Sequence, residues 1–223
     1  MPECLCKICG LTRPGDVELC HALGVDITGF IFARSSPRAV SAEAVAAMPR
    51  GAALRAGVFA RSDLDAVLHT AQAARLDLIQ LHGGEDEAFC RAVGPARVIK
   101  VLWPEGLGAG ELEREMERFA PVAAYFLLDA GISGGGGGKV LDLEGIWRSM
   151  PPRPCFLAGG LGPGNLGRTL ASFAAFPRPP AGVDLNSALE HAPGIKNHSM
   201  IREALAVLNA YKGHKHPTLE KQP

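Results

Sequence analysis

Lys7-Ile8-Cys9-Gly10-Leu11-Thr12, near the start of the chain, has the pattern of a strand, a turn and a helix start. The residues from Leu5 to Cys9 predict a short buried strand that ends on a thiol. Gly10 then allows a tight turn, and a helix is expected to begin near Pro14. An α/β enzyme presents a nucleophile or base at such a position, the carboxyl end of a strand. By itself, this stretch favours the simpler interpretation that Cys9 is only a small buried hydrophobe.

The order of strand and helix recurs along the whole chain. Each unit begins with a continuous apolar run, which is typical of parallel strands buried on both faces. The predicted strands are Leu5 to Cys9, Ile27 to Phe32, Leu54 to Phe59, Leu76 to Leu81, Val98 to Leu102, Ala124 to Asp129, Cys155 to Ala158 and Gly182 to Leu185. Short, evenly spaced units of this kind predict an α/β fold, a single-domain (β/α)8 TIM barrel over residues 1–212, rather than a doubly wound sheet. Residues 213–223 are expected to form a flexible tail.

Helical spacing of apolar residues follows the predicted strands. The clearest case has Ser62 as N-cap and Leu64, Val67, Leu68 and Ala71 at positions i, i+3, i+4 and i+7 of one buried face. The other helices are predicted near Pro14, from Ser41, after Glu85 to Glu87, from Gly110 to Phe119, around Leu143 to Trp147, from Pro163 and over Ile201 to Leu208.

Composition and charge exclude several kinds of partner. Lys plus Arg and Asp plus Glu number 23 each, so no overall field attracts nucleic acid or an anionic membrane. No apolar run approaches the roughly 20 residues of a membrane span. The chain has no secretory signal pattern, which favours a cytoplasmic protein with free thiols. Because the charges balance over the whole chain, any anion-binding site must come from a local group of residues.

The spacing of Cys4, Cys6 and Cys9 leaves a metal-binding or thiol module as an alternative. A C-x-C-x-x-C cluster supplies only three ligands, and no second cluster later in the chain completes four. We therefore do not expect a metal at these thiols.

Functional groups of a TIM barrel lie at the carboxyl ends of its strands. Gly159-Gly160 after the seventh strand and Asn186-Ser187 after the eighth are where such barrels bind phosphate through backbone N–H groups. An isolated Gly-Gly pair would indicate only a tight turn. Because two suitable loops follow adjacent strands, a phosphate site is favoured.

The acid and base candidates follow from position. Asp129 closes an apolar strand, so burial should raise its pKa and suit it to act as a general acid; pairing with Lys100 or Lys7 is nearly as compatible with its position. Lys7 lies two residues before Cys9 and shares its side of the strand. A cation there would favour the thiolate and make Cys9 a plausible base.

Two further features border this end of the predicted barrel. The glycines from Gly134 to Gly138 begin shortly after Asp129 and predict a lid that closes over a ligand, with a loose surface linker as the alternative. His82 ends the fourth strand, and Gln80 shares its face. The pair could serve either the substrate or an internal hydrogen-bond network.

Taken together and in order, these motifs resemble the phosphoribosylanthranilate isomerase family of tryptophan biosynthesis. The matching stretches are Lys7 to Thr12, Gly29 to Ala33, Ser36 to Arg38, Gln80 to Gly83, Leu127 to Asp129, Gly138-Lys139, Leu157 to Leu161, Gly182 to Asp184, Asn186-Ser187 and Pro193 to Lys196.

The resemblance implies an Amadori rearrangement of N-(5-phosphoribosyl)anthranilate, without metal or cofactor. Asp129 would be the general acid, Cys9 the general base, and Arg38 the group that receives the anthranilate carboxylate. The full set of substrate-binding candidates is Lys7, Arg38, Gln80, His82, Gly137, Gly138, Gly159, Gly160, Asp184, Asn186 and Ser187. The expected partner is a small phosphorylated molecule, and the protein is expected to be a monomer or a homodimer.

Three residues depart from the pattern of the family. Gly137 replaces a hydroxyl residue, Ala188 stands where glycine is common, and Asn197 replaces an aspartate. The alternative activity is that of an isomerase or epimerase for another sugar phosphate or aminoaldose phosphate. The related histidine-pathway isomerases use paired aspartates, so a cysteine at position 9 disfavours that activity.

Overall fold

A computed structural model describes residues 4–104, 107, 109–129, 151–176 and 178–214 of the chain. Parallel strands β1 to β8 pair in chain order and close into a barrel, as predicted. Closure comes from pairing of the last strand with the first, with Lys7 opposite Asp184. The barrel strands are β1 Leu5–Ile8, β2 Ile27–Ile31, β3 Leu54–Phe59, β4 Leu78–Leu81, β5 Val98–Leu102, β6 Tyr125–Asp129, β7 Cys155–Ala158 and β8 Gly182–Leu185.

Helices follow the strands, and one small hairpin follows β8. The described α-helices are α1 Pro14–Ala22, α2 Ala42–Ala47, α3 Leu64–Ala73, α4 Glu87–Val93, α5 Ala109–Phe119, α6 Pro163–Ser172 and α7 His198–His214. The hairpin consists of antiparallel strands β9 Glu190–Ala192 and β10 Ile195–Lys196. Single 3-10 turns cover Pro95–Arg97, Ala120–Val122, Phe173–Ala175 and Ser187–Leu189.

Strand alternation divides the apolar residues between two cores. The larger core lies between the strands and the helices. The smaller one fills the inside of the barrel and contains Ile27, Ala56, Leu78, Ile99, Val101, Leu127, Phe156 and Ala158. Residues that continue the inward set toward the carboxyl ends of the strands therefore face one shared space.

Several element ends differ from the prediction. Strand β1 ends at Ile8, although the Cys9 N–H still donates to the Leu185 carbonyl oxygen at 2.9 Å. Strand β4 begins at Leu78. The Leu76 N–H instead donates to the Ala71 carbonyl oxygen at 2.9 Å, closing the turn after α3.

The structure corrects the predicted N-cap of α3 and also shows the caps of α2 and α7. Ser62 as a cap is wrong, because Asp63 lies in extended backbone directly before α3 and is its N-cap residue. Leu68, predicted on the buried face of α3, is exposed. Ser41 does cap α2 by accepting from the Ala44 N–H at 3.2 Å. Asn197, in place of aspartate, accepts from the backbone of the first turn of α7.

Parts of the prediction lie outside the described residues. They include the glycines 134–138 with Gly137 and Gly138, the helix around Leu143 to Trp147, and residues 215–223. Helix α7 runs to His214, two residues past the predicted end of the barrel. A search of the described helices found none long and apolar enough to cross a membrane.

Candidate active site

A cavity of about 1020 Å³ opens at the carboxyl ends of the barrel strands. It brings together residues from the ends of many strands, as the fold requires. The predicted site residues that line it are Cys9, Arg38, Gln80, His82, Asp129, Gly159, Gly160, Asp184, Asn186 and Ser187. Lys7 lies beneath this lining, inside the barrel, and Gly137 and Gly138 fall outside the described residues.

Cys9 lies beside a buried ion pair. Lys7 is fully buried, and its Nζ donates to Asp184 Oδ2 at 2.8 Å. The same ammonium reaches the Cys9 thiol, as predicted from the strand alternation. Burial raises the pKa of Cys9, although Lys7 works in the opposite direction. Lys7 therefore favours the thiolate, as predicted, but desolvation of the buried thiol outweighs this one cation, which is already paired with Asp184.

Burial and neighbouring charges also have opposing effects on the pKa values of Lys7 and Asp184. Burial by itself would lower the pKa of Lys7, but Asp184 and Cys9 raise it, so Lys7 stays an ammonium. Burial raises the pKa of Asp184, against the effect of Lys7, and Asp129 raises it further. Asp129 and Asp184 therefore lie close enough for each to feel the charge of the other.

Asp129 ends β6 at the wall of the cavity. It is half-buried rather than enclosed by the apolar strand, because the end of the strand opens into the cavity. The two lysines considered as partners bind elsewhere. Lys7 binds Asp184, and Lys100 donates to the carbonyl oxygens of Gly83 at 3.1 Å and Glu85 at 2.9 Å.

Gln80 and His82 face the cavity from β4 and the residue after it. Gln80 Nε2 lies 3.5 Å from His82 Nδ1, and the His82 ring contacts Trp103 edge-to-face at a centroid distance of 5.3 Å. Burial and Lys7 lower the pKa of His82, so its imidazole is neutral at pH 7. Within the described part of the chain, the buried Gln80 Oε1 and Asp184 Oδ1 have no hydrogen-bond partner. Both acceptors suit ligand hydroxyl groups.

The loop after β7 is fixed in a conformation that requires glycine. Gly159 and Gly160 have φ of +107° and +62°, in the left-handed region. Asn165 holds the loop, because its Oδ1 accepts from the Gly162 N–H at 2.9 Å and its Nδ2 donates to the Gly160 carbonyl oxygen at 3.0 Å. The space beside Gly160 is open, since an added Cβ would meet nothing within 4 Å. A ligand anion can therefore approach this backbone closely.

The loop after β8 forms the neighbouring wall. Asn186 precedes the 3-10 turn Ser187–Leu189, whose first N–H groups suit an anion. Ala188 is not among the described non-glycine residues with positive φ, so its replacement of glycine causes no backbone strain. Its Cβ instead occupies the space beside Gly162, where an added Cβ would lie only 2.7 Å away.

Arg38 meets an internal carboxylate that sequence reasoning missed. Its Nε donates to Glu190 Oε1 and Oε2, both at 3.0 Å, and its Nη2 donates to Glu190 Oε2 at 2.7 Å. Glu190 also accepts from Lys196 Nζ at 2.9 Å. Lys196 Nζ further donates to the Asn186 carbonyl oxygen at 3.0 Å and to Asn186 Oδ1 at 2.9 Å. The hairpin thereby joins the loops after β2 and β8.

Two glycines allow the loops to approach Cys9 and Arg38. A Cβ on Gly10, whose φ is +72°, would lie 2.6 Å from Asn186 Oδ1 and 2.8 Å from Arg38 Cδ. A Cβ on Gly29 would lie 2.9 Å from Cys9 Sγ. Such distances are shorter than real contacts, so both positions need glycine for packing.

The cysteine-cluster alternative is not supported by the positions of its thiols. Cys4 and Cys6 pack in the core between barrel and helices, whereas Cys9 lines the cavity. Among the described residues, no group of three or more His, Cys, Asp and Glu side chains is arranged to hold a metal ion.

Known proteins resemble this chain in sequence and fold over nearly its whole length. The sequence model of the family described as "N-(5'phosphoribosyl)anthranilate (PRA) isomerase" matches residues 6–207. An N-(5'-phosphoribosyl)anthranilate isomerase of Desulfovibrio desulfuricans is 44% identical over 213 residues, which cover 95% of this chain and 99% of the relative.

Solved structures of phosphoribosyl anthranilate isomerases have the same fold as this chain. The phosphoribosyl anthranilate isomerase of Thermotoga maritima superposes with a TM-score of 0.82 at 28% identity, covering 93% of this chain and 99% of the other. A structure of a phosphoribosyl anthranilate isomerase in complex with reduced 1-(o-carboxyphenylamino)-1-deoxyribulose 5-phosphate gives a TM-score of 0.74 at 26% identity, covering 93% of this chain and 99% of the other. The chain belongs to the N-(5'-phosphoribosyl)anthranilate isomerase family.

Proposed function

We propose that this chain converts N-(5'-phosphoribosyl)anthranilate to 1-(2-carboxyphenylamino)-1-deoxyribulose 5-phosphate in tryptophan biosynthesis, with Asp129 as general acid and Cys9 as general base. One observation carries the residue assignment. Cys9 and Asp129 border a single cavity whose other walls hold an arginine and two loops suited to phosphate. An aldose-ketose isomerisation needs one acid and one base on the same sugar, held in fixed positions.

The proposed steps balance without an external reagent. Asp129 gives a proton to the ribose ring oxygen while the C1–O bond breaks, and the ring opens to a protonated Schiff base. The Cys9 thiolate then removes the proton on C2, and the electron pair moves through C1 to nitrogen to give an enolamine. The enolamine has the same number of protons as the substrate, and its tautomerisation to the ketone moves one proton from the C2 hydroxyl to C1. Return of one proton from Cys9 to Asp129 through solvent restores both groups for the next turnover.

The state of Cys9 sets the pH dependence of this mechanism. Because burial raises the pKa of the thiol, the thiolate is a minority form at neutral pH, and turnover should rise with pH as Cys9 loses its proton. Lys7 limits the rise in pKa by stabilising the thiolate. We assign Lys7 to this role rather than to direct substrate contact.

The remaining residues account for the parts of the substrate. Arg38 receives the anthranilate carboxylate, and the backbone of Gly159, Gly160 and Ser187 with Asn186 receives the phosphate. Gln80 and Asp184 accept hydrogen bonds from sugar hydroxyls through the oxygens that have no partner among the described residues. His82, whose ring contacts Trp103 edge-to-face, forms part of the cavity wall. Gly137 and Gly138 stay in the proposal as lid residues.

The proposal extends to partners and location. The substrate is a small phosphorylated molecule, and no metal, cofactor, nucleic acid or membrane takes part. The protein works in the cytoplasm as a monomer or a homodimer.

The test follows the fluorescence of freshly generated phosphoribosylanthranilate after enzyme is added. We expect rapid decay with the unaltered protein, and a loss of turnover of about 10²–10⁴-fold for Cys9→Ala and for Asp129→Asn. Near-normal kcat in either variant would remove that residue from its role. No decay with the unaltered protein would overturn the substrate and direct the assay to other aminoaldose phosphates.

A further inference from the structure

Glu190, on β9, holds two cations in one buried cluster beside the cavity. Its side chain is 4% exposed, and it accepts hydrogen bonds from Arg38, Lys196 and the Gly194 N–H. Burial by itself would raise the pKa of Glu190, but the bonds from Arg38 and Lys196 lower it overall. Glu190 is therefore ionised at neutral pH.

The geometry of the Arg38 pair leaves half of the guanidinium available. A guanidinium can bind carboxylates along two edges, one formed by Nε with one Nη and one formed by both Nη atoms. Glu190 occupies the edge formed by Nε and Nη2. The edge that contains Nη1 has no hydrogen-bond partner among the described residues, and Arg38 borders the cavity.

We propose that Glu190 is a positioning residue that turns the free edge of Arg38 toward the carboxylate of the substrate, with Lys196 holding Glu190 in place. The inference rests on the proposed function, in which Arg38 receives that carboxylate. It adds a residue that selects the substrate class: an aminoaldose phosphate whose amine carries an acidic ring substituent.

Burial and charge both favour a fixed Glu190 that positions Arg38, rather than a Glu190 that moves away when the substrate binds. The Glu190 side chain is buried and accepts three separate hydrogen bonds, so a rotation away from Arg38 would also break those from Lys196 and the Gly194 N–H. Arg38 and Lys196 with Glu190 sum to one positive charge, which matches one substrate carboxylate. Lys196 also holds both oxygens of Asn186, so the same cluster sets the distance between the carboxylate end and the phosphate end of the site.

The experiment compares two substrates that differ only in the carboxylate. One is N-(5'-phosphoribosyl)anthranilate and the other is N-(5'-phosphoribosyl)aniline, and the quantity measured is the ratio of their kcat/KM values. The variants are Glu190→Gln, which keeps the shape of the side chain, and Arg38→Lys, which keeps the charge but has no second edge. The control is Asp77→Asn, which weakens the ion pair between Asp77 and Arg50. Asp77 directly precedes β4, at the end of the barrel opposite the cavity.

For the unaltered protein we expect kcat/KM to be about 10 to 100 times higher for N-(5'-phosphoribosyl)anthranilate than for the aniline analogue. This factor is the one expected for hydrogen bonds between the substrate carboxylate and a charged group. Glu190→Gln should lower the ratio about tenfold, because it raises KM for N-(5'-phosphoribosyl)anthranilate while leaving kcat nearly unchanged. Arg38→Lys should lower it to a similar extent, and Asp77→Asn should leave it as it is.

Each outcome separates the two proposals. An unaltered protein that acts on neither substrate would overturn the proposed function itself. Normal preference in Glu190→Gln, or equal losses on both substrates, would overturn the positioning role, because a merely structural defect affects both substrates alike. Normal preference in Arg38→Lys would show that charge rather than the free edge selects the carboxylate, and would overturn the inference as well.

Discussion

Replacing Lys7 by methionine should destabilise the barrel strongly, because it leaves the Asp184 carboxylate without its cation. The ammonium is fully buried, the Asp184 side chain is 7% exposed, and Nζ and Oδ2 are 2.8 Å apart. Asp184 Oδ1 has no hydrogen-bond partner among the described residues, so no other described group replaces the lost bond there. Removing one member of a buried ion pair lowers the free energy of unfolding by about 3–5 kcal/mol. We expect Lys7→Met to fall in this range at pH 7.

The assay is urea unfolding followed by circular dichroism, with the free energy extrapolated to water. Lys7→Met is compared with Asp184→Leu and with the double variant, in which the whole pair is replaced by apolar groups. Such replacements are often neutral, so the double variant should be more stable than Lys7→Met by about 2 kcal/mol or more. A double variant no more stable than Lys7→Met, or a single loss below about 1 kcal/mol, would refute the argument that the pair determines this stability.

The pH dependence gives a second check. The pKa of Lys7 is raised in the folded state, so its stabilising effect is complete below its ordinary pKa of about 10.4 and is lost only as the pH rises through the higher folded value. In Lys7→Met the pKa of Asp184 should rise further, so the variant recovers stability as acid protonates this carboxylate. The gap between the two proteins should therefore narrow from pH 8 to pH 5. In the activity assay, the rise of kcat with pH should move to higher pH, because Cys9 has lost the cation that lowers its pKa.

Two further substitutions and one titration test other parts of the structure. Gly29→Ala adds a Cβ 2.9 Å from Cys9 Sγ, so it should lower the free energy of unfolding by about 1–3 kcal/mol and kcat by at least about tenfold. The control Gly164→Ala, which has open space around its Cβ, should change neither quantity. A Gly29→Ala protein with normal kcat would contradict the close packing. Arg55→Met removes the donor that binds the carbonyl oxygens of Met48 and Pro49 at 2.7 and 3.0 Å, and should cost about 1–3 kcal/mol of stability without changing KM; an unchanged melting temperature would count against it. The His82 ring should titrate below the ordinary pKa of about 6.5 in an NMR pH series, because burial and Lys7 lower its pKa; a midpoint above that value would contradict a neutral imidazole at pH 7.

Sequence reasoning located the barrel because its signal is local. Strands buried on both faces are continuous apolar runs, and glycines or polar residues mark their ends. Cys9, His82 and Asp129 were found for the same reason, since each ends or directly follows such a run. The rule that parallel strands place their carboxyl ends together then assembled the site without further information.

The parts that sequence missed depend on contacts between distant residues or on degree of burial. Glu190 lies 152 residues from Arg38, and the strands of its hairpin are too short to show a periodic pattern. The effect of Lys7 on Cys9 had the predicted sign, but spacing does not tell how far desolvation opposes it. Ser62 and Asp63 are adjacent and equally suited to cap a helix, so only the backbone decides between them.

Closure of the barrel by β1 and β8 also determines when the site can be assembled during synthesis. Lys7 and Asp184 are 177 residues apart, so the first strand emerges from the ribosome long before its partner exists. Contacts of such separation form late, because the intervening chain must be ordered first. The environment of Cys9 is therefore completed only when nearly the whole chain has been made. A nascent chain that stops before β8 has seven strands and an open edge next to its thiol, and it becomes an enzyme only with the arrival of the last strand.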